Sequence, residues 1–167
     1  MNSFDDDWEL APDTAHPNAA RLLTEPFYWD AGDENSPFGN ERGAEVLEAY
    51  RTAIGEDAEA DGADLLAELL DQWDVDRAFA EGIPDEELEF RLEREHSHIL
   101  AYDDAVVALA FAELVFLGTA SAEMAAAAIR CLQRQATPEL LELRGWSDPA
   151  ERRGRCEEMI EVLRAST

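Results

Sequence analysis

The sequence predicts an all-α protein, with six or seven helices in one compact domain around a central apolar helix. Three observations predict it. Apolar residues recur at three- and four-residue spacing in one segment after another. Asn, Asp, Pro and Gly punctuate those segments where helices start and stop. The stretch 105–117 is apolar on every side, which marks a helix enclosed by others. A chain of 167 residues is one domain on length alone and buries a core without staples.

The elements follow in order. Residues 1–12 read as an acidic arm that Trp8 and Leu10 tack onto the surface, and 13–167 as the domain. The turn 13–17 leads into a short helix capped by Thr14 or Asn18, with Ala19, Ala20, Leu22 and Leu23 on its apolar side, and Pro26 ends it. A loop rich in aromatic and acidic residues spans 27–40, with a brief extended piece at 27–29. Asn40 caps a helix over 41–54 that buries Val46, Leu47, Tyr50 and Ile54. The acidic linker 55–62 precedes a helix over 63–73 carrying Leu65, Leu66, Leu69, Leu70 and Trp73. Another follows Pro84, with Leu88 and Leu92 inside.

Asp103 or Asp104 is then expected to cap the central helix, and Gly118 to close it. The helix 122–135 centres on Met124, Ala125, Ala128, Ile129 and Leu132, and its small residues permit close approach. A helical turn over 138–143 precedes the last helix, 149–164, which buries Cys156, Met159, Ile160 and Leu163.

Charge is the strongest compositional feature. The formal net charge is −26, and every one of the 13 basic residues is Arg. Residues 1–104 carry 30 acids against 6 arginines, whereas 105–167 carry 9 against 7. Such a field repels phosphate backbones and anionic lipid, so neither nucleic acid nor membrane is an expected partner. It attracts a basic protein partner. GC-rich coding or a high-salt cytoplasm produces the same acidity with no partner involved.

The first ten residues hold Asp5, Asp6 and Asp7 with no basic residue and no apolar run, the reverse of a secretory signal. The expected location is the cytoplasm. Cys131 and Cys156 are far apart and lack a C-x-x-C partner, so they read as buried small hydrophobes.

Phosphate-binding, dinucleotide, nucleophile-elbow, zinc-protease and calcium-loop motifs are all absent, and without lysine there is no Schiff-base chemistry. No catalytic residue, cofactor or metal is assigned. His96 and His98 with Asp103 and Asp104 offer metal-ligand chemistry, but two-residue spacing on a helix turns the histidines to different faces. Glu113, inside the central helix, either is a buried carboxylate with a raised pKa that could serve as acid or base, or pairs with an arginine such as Arg130 or Arg134 or lies on an exposed edge.

The loop concentrates the candidates. Tyr28, Trp29, Asp30, Asp33, Glu34, Phe38 and Asn40 combine aromatic surface with directional polar groups beside a helix start. A loop that merely plugs the bundle, its acids capping amides, fits the same residues.

Ala15-His16-Pro17, then Phe27-Tyr28-Trp29-Asp30-x-x-Asp33-Glu34-x-Ser36-Pro37-Phe38-Gly39-Asn40-x-x-Gly43-Ala44, resemble the bacterial YfeS-like proteins, as does the stretch 103–112. The resemblance runs from about Thr14 onward, with Glu41 where the pattern has Asp. It implies a small cytoplasmic protein and supplies no mechanism. There is a fainter likeness to another bacterial family with a P-F-x-N-D loop followed by an Ala-rich helix; that some small acidic proteins of that general kind neutralise toxins is analogy of class and charge only.

The function expected is therefore non-catalytic binding of a basic protein partner, an immunity or antitoxin-like role being one version. The rivals are a metal-assisted hydrolase using Asp30, Asp33 and Glu34, and a stress or regulatory factor without a fixed small ligand. Oligomeric state is not legible in the sequence.

Overall fold

The apolar stretch 105–117 forms the hub. Ala105, Val106, Ala108 to Ala112, Leu114 and Val115 have no solvent exposure at all. The computed structural model describes residues 8–76 and 88–166, with side chains omitted at 88–96. Among these residues there are seven α-helices and no strand. They are α1 (Pro17–Leu22), α2 (Glu41–Glu56), α3 (Gly62–Gln72), α4 (Leu88–Leu117), α5 (Ala122–Gln135), α6 (Pro138–Arg144) and α7 (Pro149–Ser166).

Helices α1, α2, α3 and α5 pack directly on α4. Helix α7 lies on α5, and α6 bridges α5 and α7. One continuous core results, in which α7 contributes Cys156, Met159, Ile160 and Leu163 as its spacing predicts. No described helix is long and apolar enough to cross a membrane.

The cap expected at Asn40 is present, its Oδ1 accepting from the Gly43 amide (2.7 Å). Asp61 and Ser121, not singled out from sequence, cap α3 and α5. Gly118, at φ 82°, closes α4 in the left-handed conformation. Trp8 packs on Phe116 with ring centroids 5.3 Å apart.

Four expectations are corrected. His16, rather than Thr14 or Asn18, caps α1, its Nδ1 accepting from the Asn18 amide at 3.1 Å. Residues 26–29 form a 3-10 turn, not an extended piece, because Pro26 presets a helical φ. The helix after Pro84 and the central helix are one 30-residue helix, so Asp103 and Asp104 lie inside α4 and cap nothing. Leu88, Leu92 and Pro84 fall outside the described side chains.

The fourth correction concerns Glu113. It is buried and makes no pair with Arg130 or Arg134; its Oε1 accepts from the Ser121 amide (3.0 Å) and hydroxyl (3.3 Å) at the start of α5. Arg134 instead forks onto Asp103, Nε to Oδ2 at 3.0 Å and Nη2 to Oδ1.

Candidate functional site

The loop between α1 and α2 is folded on itself by short-range bonds. Asp30 Oδ1 accepts from the Gly32 amide (2.8 Å), Asp33 Oδ1 from Asn35 (2.9 Å) and Ser36 Oγ from Phe38 (3.2 Å). These are side-chain turns of the Asx and Ser type. A Cβ at Gly39 would overlap the Asp33 carbonyl, and one at Gly43 the Pro37 carbonyl. The Ser-Pro-Phe-Gly-Asn-x-x-Gly pattern thus encodes a loop wound against the first turn of α2.

This places the candidate residues. Tyr28 and Phe38, taken as contact surface, are 2% and 1% exposed and belong to the core. The correction has a physical reason: Phe27 and Tyr28 stack at 4.1 Å, and Tyr28 meets Phe111 of α4 at 5.6 Å. Burying rings of this size fastens the loop to the hub. Trp29 is half-buried, its indole donating to the Leu23 carbonyl (3.0 Å). Asp30 and Glu34 are exposed, and Asp33 and Asn40 half-buried.

The carboxylates of Asp30, Asp33 and Glu34 do not converge. The first two serve turn amides, and Glu34 accepts from the Ser147 hydroxyl (3.0 Å). Among the described residues no three His, Cys, Asp or Glu side chains are grouped to hold a metal ion. His98 Nδ1 accepts from the Asp76 amide (3.0 Å), while Asp103 and Asp104 are held by Arg134 and Arg144. The side chain of His96 lies outside the described residues. Both cysteines are buried, and burial pushes both thiols up.

What the loop does build is one wall of a groove. Leu22, Thr24, Glu25 and Tyr28 face Gly154, Glu157, Glu158, Glu161 and Val162 of α7 across a cavity of about 580 Å³. The α7 residues recur at i, i+3, i+4, i+7 and i+8, one stripe of a helix. The opposite stripe is the buried one.

Position 154 has no neighbour within 4 Å of where a Cβ would stand, so glycine leaves that end of the groove open. The Tyr28 hydroxyl is buried in this lining with no hydrogen-bond partner among the described residues. Burial, with Glu158 next, pushes its phenol up, so it remains a neutral donor. At the rim, Arg155 lies 4.4 Å over Phe27, 3.0 Å from Glu158 and 3.8 Å from Glu25.

Glu157, Glu158 and Glu161 were not among the residues singled out from sequence. Their signal is an acidic stripe exactly out of phase with the apolar one along residues 152–163. The near balance of 9 acids and 7 arginines over residues 105–167 masks it.

No family model and no solved structure matches the chain. The chain is similar to the uncharacterized protein YfeS of Escherichia coli (strain K12), 26% identical over 146 residues. That span covers 86% of this chain and 59% of the relative, so the chain spans less than two thirds of the relative's length. With the loop pattern of residues 27–44, the similarity is consistent with a YfeS-like family.

Proposed function

We propose that this protein is a non-catalytic interaction module whose acidic groove receives a basic group of a protein partner. One observation supports the reading above others. Glu25, Glu157, Glu158 and Glu161 ring a floor made by Leu22, Tyr28 and Val162. A lysine or arginine side chain has the complementary build, an apolar stem and a charged head.

Arg155 illustrates the chemistry from within the chain. Its guanidinium sits over an aromatic ring between two glutamates, the arrangement an incoming arginine would repeat. The net charge of −26 steers such a partner over distance, and salt weakens the attraction. Exposed Asp30 and Glu34 extend the field beyond the groove. Neutralising a basic toxin is one role that fits this chemistry.

The test is binding of a labelled oligo-arginine peptide by fluorescence anisotropy at low salt. Any polycation is attracted to a chain this acidic, so the control must remove equal charge elsewhere. Glu157→Gln, Glu158→Gln and Glu161→Gln together are expected to weaken binding far more than Glu56→Gln, Asp64→Asn and Glu68→Gln. Equal losses in the two triple variants would make the attraction diffuse and remove the groove from the proposal. Gly154→Trp, which fills the open end, is a charge-neutral second probe.

A further inference from the structure

A separate cleft carries chemistry of opposite sign. Arg152, in the first turn of α7, is 6% exposed. Its Nη1 donates to the Asn35 carbonyl (3.1 Å), its Nη2 to Gln135 Oε1, and its face lies 4.4 Å from the Trp146 ring. All three partners are neutral. Its Nε–H has no hydrogen-bond partner, and neither does the buried Oδ1 of Asn35. Among the described residues Arg152 forms no salt bridge.

An unanswered guanidinium at this depth is costly, and the positive end of its own helix adds to the cost. Burial lowers its proton affinity, yet an arginine so perturbed stays charged.

Arg152 lines a cavity of about 150 Å³ together with Arg144, Trp146, Asn40, Asp104 and Glu34. Arg144 Nη2 bonds Asp104 at 2.6 Å, which answers both of those charges. Glu34 is exposed and hydrogen-bonded by Ser147, so solvent screens it. The lining thus sets two arginines against two carboxylates, and Arg152 is the arginine without a direct ion pair, Asp104 and Glu34 acting on it only through space. A second space of about 10 Å³, lined by Arg152, Asp104 and Gln135, has room for one water but not for an anion.

We propose that this cleft binds a small monocarboxylate, its carboxylate against Arg152 with Arg144 on the flank and its apolar part against Trp146. The volume admits only a few heavy atoms. A single negative charge fits better than two, because Asp104 and Glu34 in the same lining repel a dianion more strongly. The ligand gives Arg152 the direct ion pair it lacks among the described residues, in a chain whose net charge otherwise repels anions. The proposal stands apart from the acidic groove, and neither depends on the other.

The experiment follows thermal unfolding and tryptophan fluorescence of the whole protein against sodium acetate, sodium propionate and sodium phosphate, each matched in ionic strength with NaCl. Acetate and propionate are expected to give a saturable rise in melting temperature and a fluorescence change, and phosphate a weaker response. Arg144→Gln and Arg152→Gln should each weaken the carboxylate response by about tenfold or more, the loss of a charge-assisted contact.

If Arg152→Gln fails to fold, Arg144→Gln decides, because that residue sits at the edge of the cleft. Acetate and propionate acting no differently from matched chloride on the wild type would overturn the proposal. So would phosphate outperforming both, or a full response surviving in Arg144→Gln.

Discussion

Helices α4 and α7 handle charge in opposite ways. Each described carboxylate of α4 is answered by a group from another element: Asp103 by Arg134, Asp104 by Arg144 and Glu113 by Ser121. On α7, Glu151, Glu157, Glu158 and Glu161 face solvent, and their ion pairs are with Arg155 and Arg164 at helical spacing. Pairs of that kind contribute little to stability.

Interior charge on α4 is therefore bound into the fold, whereas the surface charge of α7 contributes little to it. Arg152 breaks the pattern, since it is buried like the charges of α4 yet its hydrogen-bond partners are neutral and no carboxylate pairs with it directly. A residue that violates the rule its neighbours obey marks a functional candidate.

The comparison is tested most severely by placing an unanswered charge in α4. Leu109→Asp puts a carboxylate where exposure is 0%, and should cost at least ~4 kcal/mol in chemical denaturation. A well-folded variant of wild-type stability would mean that the hub is misassigned.

Removing an answering group comes next. Arg134→Met leaves Asp103 buried without its guanidinium, at a cost of about 3–5 kcal/mol near pH 8. Burial already pushes the Asp103 carboxyl up to about 6, with the Arg134 bonds pulling the other way. Without Arg134 the carboxyl rises further, so at pH 5 it is protonated and the penalty should shrink. A penalty independent of pH would show that Arg134 acts through packing alone.

The two helices also differ in how much of their chemistry the sequence displays. The core stripe of α7, the cap at Asn40 and the closure at Gly118 are local signals, and all three appear as read. The unbroken course of α4 is not local. Asp103 and Asp104 have the form of an N-cap, and what keeps them inside a helix are arginines 31 and 40 residues away.

The loop misleads in a similar way. Its aromatics look like surplus surface until Phe111 supplies Tyr28 with a partner 83 positions along the chain. Asp33 reads equally well as contact or turn until its bond to the Asn35 amide is seen. Residues that act across elements need the fold before their role is visible. That is why Glu157, Glu158, Glu161 and Arg152 were missed.

A smaller effect separates the two helices by pH. Burial raises the Glu113 carboxyl, with the Ser121 bonds opposing. A carboxyl raised on folding binds more protons in the native state than in the unfolded one. Its contribution is therefore greatest below the unfolded value and is lost as pH rises through the folded one. Asp103 and Asp104 act in the same direction. Glu113→Gln keeps an acceptor for Ser121 and removes the charge. It should equal wild type near pH 4 and exceed it by up to ~1 kcal/mol near pH 8. A Glu113→Gln variant less stable than wild type at pH 8 would show that the charge strengthens the Ser121 bonds by more than its burial costs.

The smallest stability effect is expected on α7, and its smallness is the point. Glu157 and Glu161 lie on the groove stripe, both exposed, and Glu161 pairs with Arg164 at 2.7 Å. That pair is i, i+3 with both partners largely in solvent, so its loss costs a few tenths of a kcal/mol at most. Removing two like charges from a chain of net charge −26 relieves repulsion and offsets the loss. Glu157→Gln with Glu161→Gln should therefore leave stability within about 0.5 kcal/mol of wild type at pH 5 and pH 8 alike. In the same preparation, retention of an oligo-arginine peptide should fall and the residual binding should depend less steeply on salt. If the double variant loses stability by more than ~1 kcal/mol, these glutamates are structural like those of α4, and the contrast between the helices fails.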